Sequence, residues 1–125
     1  MSTAGTQQSR DALLLIINGI VNSLAYQAND AAAHRRDARY SYNQIVTIGL
    51  ETNDGHFKRT CSAWAVDMSY NGMGFITDIE LLVGKNMFVK LIIIDGQEEV
   101  FPIRIVHCRK LFGAVCRIGT IFLLD

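Results

Sequence analysis

The chain has 125 residues, of which 50% are hydrophobic and 19% are charged, and its formal net charge at pH 7 is zero. This length and composition favour a single hydrophobic core and exclude an intrinsically disordered chain. A net charge of zero also excludes a general electrostatic attraction for duplex nucleic acid, which needs a broad basic face. Any binding of an anion must therefore be local.

The first predicted element is a long helix that begins after Ser9, a residue suited to cap a helix, and runs without proline to about Ala33. Its apolar residues fall on two adjacent stripes at helical spacing. One stripe comprises Leu13, Ile17, Ile20, Leu24 and Ala31, and the other Leu14, Val21, Ala25, Ala28 and Ala32. So wide an apolar surface predicts more than one packing partner.

The apolar run at residues 12–21 raises the question of a membrane segment. It is shorter than the roughly 20 apolar residues that a bilayer-spanning helix requires. It also lacks the basic start and the small-residue cleavage site of a signal peptide. We therefore expect no membrane span and a cytoplasmic location.

The second part of the chain has the pattern of an antiparallel barrel or sandwich, because runs rich in β-branched and aromatic residues alternate with turn signals. Six strands are predicted, at residues 44–51, 58–68, 74–77, 87–94, 100–109 and 113–122. Four breaks between them carry glycine turn signals and predict four hairpins, at residues 53–55, 71–72, 84–86 and 95–97.

Alternation within these runs predicts which side chains face the core. In the second run, Trp64, Val66 and Met68 share one face, and core packing is the favoured interpretation of Trp64. Asp67 and Ser69 then share the opposite, outward face. The fifth run has one predicted inward set, made of Phe101, Ile103 and Ile105.

Two polar clusters stand out from these folding signals. Residues 34–39 read His-Arg-Arg-Asp-Ala-Arg at the predicted junction of helix and barrel, and residues 67–74 read Asp-Met-Ser-Tyr-Asn-Gly-Met-Gly at the end of a strand. The first has an ordinary explanation as cations at the negative end of a helix dipole. The second can be explained as a side-chain-capped turn with glycine. Taken singly, each cluster leaves a structural and a functional interpretation open.

Taken together, the clusters resemble the PilZ domain family, whose signatures are Arg-x-x-x-Arg followed by Asp/Asn-x-Ser-x-x-Gly. Here these motifs lie at residues 35–39 and 67–72, and the resemblance covers residues 34–122, including the strands around 82–91 and 116–122. It implies a mainly β fold with a six-stranded antiparallel β-barrel, which we place at residues 34–125. The tail and the amphipathic helix predicted from periodicity precede it at residues 1–33. It also implies binding of cyclic di-GMP. Many members carry a trailing helix, and the N-terminal helix is expected to take over its packing role.

The resemblance implies that arginines of the first cluster hold the ligand. A guanidinium presents a planar fork of donors that matches phosphate oxygens, or O6 and N7 of guanine, in a bidentate way. Arg35 and Arg39 are the principal candidates. Arg36 is expected to assist by reaching a phosphate or stacking on a base. For His34, stacking on a base and a solvated position at the helix end both stay open.

The second cluster is expected to read the base. Asp67 is an acceptor-only carboxylate and suits the N1 and N2 donors of guanine, and Ser69 can donate or accept beside it. Gly72 is expected to let the backbone approach the ligand and can take a positive φ. Asn71 is a further candidate for a side-chain hydrogen bond.

Other chemically suggestive residues are interpreted as structural. His107 and Cys108 are adjacent on a strand, so they point to opposite faces and do not form a metal site. Asp78 and Glu80 have no neighbouring histidine or nucleophile at motif spacing, so we expect no enzyme and no cofactor. The cysteines lack the close spacing of zinc or disulfide frameworks and are predicted to be reduced core thiols: Cys61, Cys108 and Cys116.

Two functions from different classes remain. The leading hypothesis is a bacterial second-messenger receptor that binds cyclic di-GMP and passes the signal to an effector protein through its helix. The alternative is a structural or adaptor protein of the same fold that docks a partner, or forms a homo-oligomer, through the N-terminal helix without nucleotide. Binding of single-stranded nucleic acid is disfavoured, because the basic residues cluster at one end and are not interleaved with exposed aromatics.

Overall fold

The computed structural model describes residues 10–29, 38–93 and 96–124. Within them it has one helix and six strands, which confirms the predicted mainly β fold. The elements are α1 (Arg10–Gln27), β1 (Tyr40–Glu51), β2 (Phe57–Met68), β3 (Met73–Thr77), β4 (Asn86–Ile92), β5 (Glu98–Phe112) and β6 (Val115–Phe122).

The six strands close into an antiparallel barrel in the order β1-β2-β3-β6-β5-β4. Closure gives each strand two neighbours, although β1 and β4 pair only over three residues of each, from Thr47–Lys90 to Gly49–Phe88. Because β3 pairs with β6 and β4 pairs with β1, the segment between β3 and β4 is a crossover, and the hairpin predicted at residues 84–86 is wrong. Gly84, with φ 93°, makes a turn inside this crossover. The fourth hairpin instead joins β5 to β6 at Gly113, with φ 52°.

The barrel interior is filled by alternate residues of all six strands. The predicted inward set of β5 is confirmed, since Phe101, Ile103 and Ile105 are fully buried while Arg104 between them is exposed. The largest fully buried side chains from other strands include Ile48, Met68, Phe75, Met87, Leu91 and Ile118.

The alternation of β2 changes phase at Val66, and this makes the core assignment of Trp64 wrong. Ala65 pairs with Phe75 and Asp67 pairs with Gly74, which leaves Val66 as an extra residue opposite β3. Such a β-bulge reverses the parity of the residues on its two sides. Ala65 and Met68 are therefore both buried, and the Trp64 side chain points outward with 53% of its surface exposed.

Helix α1 packs on the barrel through one line of buried residues at four-residue spacing, and these residues join the barrel core: Leu13, Ile17, Val21 and Ala25. They come from both predicted stripes, so the barrel is one packing partner of the helix, and a second partner stays a prediction. The helix ends at Gln27 rather than near Ala33, and Asn29 adopts a left-handed conformation with φ 58° just beyond it. Ala31 and Ala32 lie outside the described residues.

A hydrogen bond from the Tyr70 hydroxyl to Asn22 Oδ1 ties α1 to the loop that follows β2. Two large apolar residues of the helix, Leu15 and Tyr26, are exposed. In the described part of the chain, no helix has the length and hydropathy needed to cross a bilayer. The helix is thus a surface element of the barrel that contacts the loop of the second polar cluster.

Candidate ligand-binding site

Asp67 is the centre of an ionic cluster on the outer surface of the barrel. Arg39 donates to its Oδ1 through Nη2 at 2.8 Å and through Nε at 3.2 Å. The backbone N–H of Gly74 donates to the same oxygen at 3.1 Å, and Nη2 of Arg117 donates to Oδ2 at 2.8 Å. One carboxylate therefore joins two arginines that lie on either side of it. We refer to Arg39, Asp67 and Arg117 as the carboxylate cluster.

The charge state of Asp67 follows from this setting. Partial burial alone would raise the pKa of its carboxyl, but hydrogen bonds and positive charge from Arg39 and Arg117 outweigh burial and hold that pKa below its ordinary value. Asp67 is therefore a carboxylate at neutral pH. The Arg39 side chain is 43% exposed, against 29% for Arg117 and 20% for Asp67, so Arg39 is the partner open to exchange.

Irregular strand pairing aims Asp67 outward. The Val66 bulge turns Asp67 to the outer face of β2, and β1 is irregular at the same level, where pairing passes from Ser41–Asp67 to Gln44–Ala65. Asn43 lies in this β1 irregularity with φ 56°. Bulges in such positions re-aim side chains at functional sites.

Two glycines lie beside Asp67 in the same outward row. Asp67 pairs with Gly74, Gly74 pairs with Gly119, and Gly119 pairs with His107, so the four residues cross β2, β3, β6 and β5. A Cβ on Gly74 would lie 2.9 Å from Arg117 Nη2 and 2.8 Å from Asp67 Oδ1. The absence of a side chain at Gly74 is thus what lets Arg117 lie low on the sheet and reach the carboxylate.

Ser69 is not on the outward patch with Asp67, contrary to the sequence prediction. Strand β2 ends at Met68, and Ser69 is 1% exposed. Its hydroxyl accepts from the backbone N–H groups of Asn71 at 3.1 Å and of Gly72 at 3.2 Å. In this state the serine side chain holds the turn that follows β2.

Gly72 approaches the barrel wall closely. A Cβ at this position would lie 1.9 Å from the backbone oxygen of Thr120. Gly72 is not among the glycines with positive φ, so its close approach to β6, rather than its φ, requires glycine. Asn71 is exposed at the tip of the turn, and its backbone oxygen accepts from Phe122 N–H at 2.7 Å.

The structure brings Arg39 and Asp67 of the two predicted motifs into direct contact. The other candidates of the first motif, His34, Arg35 and Arg36, lie outside the described residues. Arg117 was missed at the sequence level. Alternation in the last strand run indicates that Arg117 points outward, but its proximity to Asp67 depends on the pairing of β3 with β6, which are not consecutive in the chain.

The remaining chemical candidates lie apart from this cluster. His107 is exposed and Cys108 packs against the core, as alternation predicts. The three cysteines are free thiols, and burial raises the pKa of Cys61 and of Cys116. No group of three metal-ligating side chains occurs within residues 10–29, 38–93 and 96–124.

Comparison with known proteins identifies the family. The model of the PilZ domain matches residues 33–124. Among solved structures, the fold is similar to the PilZ domain with cyclic di-GMP of YcgR from Escherichia coli, with a TM-score of 0.51 and 17% identity over 72% of this chain and 78% of that chain. No curated protein sequence matches. Since the family model covers most of the sequence and the barrel agrees with it, the chain belongs to the PilZ domain family.

Proposed function

We propose that this protein is a receptor for cyclic di-GMP, rather than an enzyme, and that the ligand binds over the carboxylate cluster, between the segment 34–39 and the barrel. The observation that carries the proposal is the meeting of Arg39 and Asp67, 28 residues apart in sequence, in one ion pair on the barrel surface. Membership of the PilZ family and the ligand named for the YcgR structure support the same assignment.

The donors and acceptors of the cluster complement the ligand. The guanidinium of Arg39 suits a phosphate, and the Asp67 carboxylate suits the N1–H and N2–H donors of guanine. Oδ1 of Asp67 already accepts three hydrogen bonds in this state, two of them from Arg39. Binding is therefore an exchange of hydrogen-bond partners. Arg39 turns from Asp67 to a ligand phosphate, and the guanine N–H groups donate to the Asp67 Oδ1 that Arg39 has left.

Arg117 has a different task from Arg39. Arg117 is less exposed, lies on β6, and donates to Asp67 Oδ2 at 2.8 Å. It therefore keeps the carboxylate ionised and oriented when Arg39 turns to the phosphate. In this exchange no charge of the cluster is left without a partner, which avoids the cost of an unpaired charge.

The remaining predicted residues are proposed to contact the ligand directly or to fix the turn that carries the second motif. Arg35 is the second principal phosphate or guanine contact, with Arg36 assisting and His34 stacking. Asn71 is a further hydrogen-bonding group at the tip of the turn. Ser69 and Gly72 act mainly by fixing this turn against β6, as their contacts in the free protein support.

The ligand signal is proposed to pass through α1 to an effector protein. The Tyr70 hydroxyl lies in the turn of the second motif and bonds to Asn22 of α1. Ligand contacts with the segment 34–39 therefore act on the helix from two sides, through the chain that follows it and through Tyr70. The exposed apolar side chains of Leu15 and Tyr26 offer the effector a contact surface.

Calorimetric titration with cyclic di-GMP tests the proposal. We expect a dissociation constant of about 1 µM or lower, which corresponds to about −8 kcal/mol. Arg39→Ala is expected to abolish measurable binding without unfolding the barrel. Arg59→Ala is the matched control, because Arg59 is an exposed arginine of β2 whose side chain donates to Ser62 of the same strand at 2.9 Å. Equal binding by Arg39→Ala and the wild type would contradict the site.

An adaptor without nucleotide is the second candidate. The observation in its favour is that the Asp67 carboxylate is fully engaged by donors of its own chain, so the cluster is stable without a ligand. Self-association or partner docking would then use Leu15 and Tyr26 of α1. Sedimentation of the wild type and of Leu15→Ser tests this function, which predicts a dimer that the substitution dissociates and no heat with cyclic di-GMP.

A further inference from the structure

Three apolar side chains form a second row on the outer surface, next to the row of Asp67. Ile45 pairs with Trp64, and Trp64 pairs with Ile76, so the row crosses β1, β2 and β3. Ile45 is 70% exposed, Trp64 is 53% exposed and Ile76 is half-buried. We call these three residues the apolar row. It lines a shallow open groove of about 280 Å³.

The Val66 bulge makes the apolar row a neighbour of the carboxylate cluster. Trp64 pairs with Ile76 and Asp67 pairs with Gly74, and these two partners are two residues apart on β3. Two residues of a strand span about 7 Å, so the indole and the carboxylate stand side by side on one face. In a regular strand, residues 64 and 67 would point to opposite faces.

Burial in the barrel does not explain an indole at this position. Its side chain stands outside the closed sheet, where a polar or smaller residue would leave the core unchanged. The same row continues from Ile76 to Arg117 of β6. The apolar face of Trp64 is therefore continuous with the two residues, Asp67 and Arg117, that define the polar part of the site.

We propose that Trp64 stacks on a guanine base of bound cyclic di-GMP, and that Asp67 beside it reads the edge of a base. This inference rests on the proposed function and adds a binding residue outside both family motifs. A large aromatic side chain offers an apolar face of the right size for a purine. Stacking of this kind contributes sequence-tolerant affinity, while the hydrogen bonds of Asp67 supply the selectivity for guanine.

The chain provides its own probe, because Trp64 is its single tryptophan. Titration of the wild type with cyclic di-GMP is expected to quench tryptophan fluorescence, with the same dissociation constant as calorimetry. Trp64→Leu keeps apolar bulk but removes the ring, and we expect it to weaken binding about 5-fold or more. Trp64→Phe keeps a ring and is expected to retain most of the affinity.

Phe112→Leu is the matched control, since Phe112 is an aromatic side chain that is 71% exposed at the β5–β6 hairpin. It is expected to bind as the wild type. If the wild type gives calorimetric heat while its fluorescence is unchanged and Trp64→Leu binds normally, the stacking inference is wrong and the receptor function stands. An equal loss in Phe112→Leu would also overturn it. If the wild type gives no heat at all, the receptor function itself fails.

Discussion

Two parts of the barrel differ in the regularity of their strand pairing: the β4–β5 pair, which we call the regular side, and strands β1, β2 and β3, which we call the irregular side. The difference separates stability from recognition. Strands β4 and β5 pair without interruption from Asn86–Arg104 to Ile92–Glu98. Strands β1, β2 and β3 pair with register shifts between Ser41 and Gln44, between Ile48 and Gly49, and around Val66. The regular side presents its inward residues to the core in strict alternation. The irregular side turns Asp67 and Trp64 outward into neighbouring positions, which strict alternation would not allow.

The largest expected effect is on the regular side, at Phe101. This side chain is fully buried in β5 and packs against Phe122 with ring centroids 6.2 Å apart. Phe101→Ala removes buried apolar surface and leaves a cavity, which lowers the free energy of unfolding by about 3–5 kcal/mol. Urea unfolding measures this loss. The remaining folded molecules are expected to bind cyclic di-GMP as the wild type does. Weakened binding by folded Phe101→Ala would contradict the claim that the regular side contributes to stability but not to recognition.

A smaller loss of stability is expected from a substitution at Gly72, where the turn after β2 meets β6. A Cβ would overlap the backbone oxygen of Thr120, so Gly72→Ala forces the turn away and lowers stability by about 2 kcal/mol. Binding is expected to fall as well, because the same turn carries the second motif. Gly19→Ala is the control, since nothing lies within 4 Å of its added Cβ, and helix propensity predicts a gain of up to about 1 kcal/mol.

The link between the site and α1 is expected to be weaker still. Tyr70→Phe removes the hydroxyl that bonds to Asn22 and lowers stability by about 1 kcal/mol. Hydrogen exchange over residues 10–27 measures its role in signalling. In the wild type, cyclic di-GMP is expected to increase protection of α1, and in Tyr70→Phe this increase is expected to shrink. Unchanged protection in the wild type would refute the coupling but not the binding.

The smallest expected effect is the pH dependence of Asp67. Its pKa in the folded state is below the ordinary value of about 3.9, so the folded protein binds this proton more weakly than the unfolded chain. The stability from Asp67 is therefore fully present above the ordinary pKa and is lost as pH falls through the folded-state pKa. Thermal unfolding of the wild type and Asp67→Asn between pH 7 and 3 is expected to show a difference that is constant above about pH 5 and narrows below pH 4. A difference independent of pH would contradict the ionic role.

Much of the regular side was predictable from sequence, because it depends on local alternation. The inward set at Phe101 was predicted correctly. Outside this side, the end of the last strand at Phe122 was also predicted. The helix end was placed too late, because the alanines after Gln27 favour a helix while Asn29 adopts a left-handed conformation. Boundaries of this kind depend on single backbone conformations that composition does not determine.

The irregular side was less predictable, for two physical reasons. The bulge at Val66 has no marker in the sequence, so Trp64 was assigned to the core. Ser69 was assigned to the surface because alternation was extended past Met68, where β2 ends and the turn begins. The pairing of β3 with β6 is a non-local property of the closed barrel, and without it Arg117 would not reach Asp67. Motif spacing identified Arg39 and Asp67 as functional candidates, whereas their geometry and their third partner came from topology.

Calorimetric titration of the full chain with cyclic di-GMP tests most directly whether the carboxylate cluster is a nucleotide site. The linear dinucleotide of the same composition serves as the comparison ligand, since it carries the same bases without the closed ring. We predict saturable heat with a dissociation constant of about 1 µM or lower for the cyclic ligand, and weaker binding of the linear one. A flat titration of the folded wild type with cyclic di-GMP would contradict the receptor function.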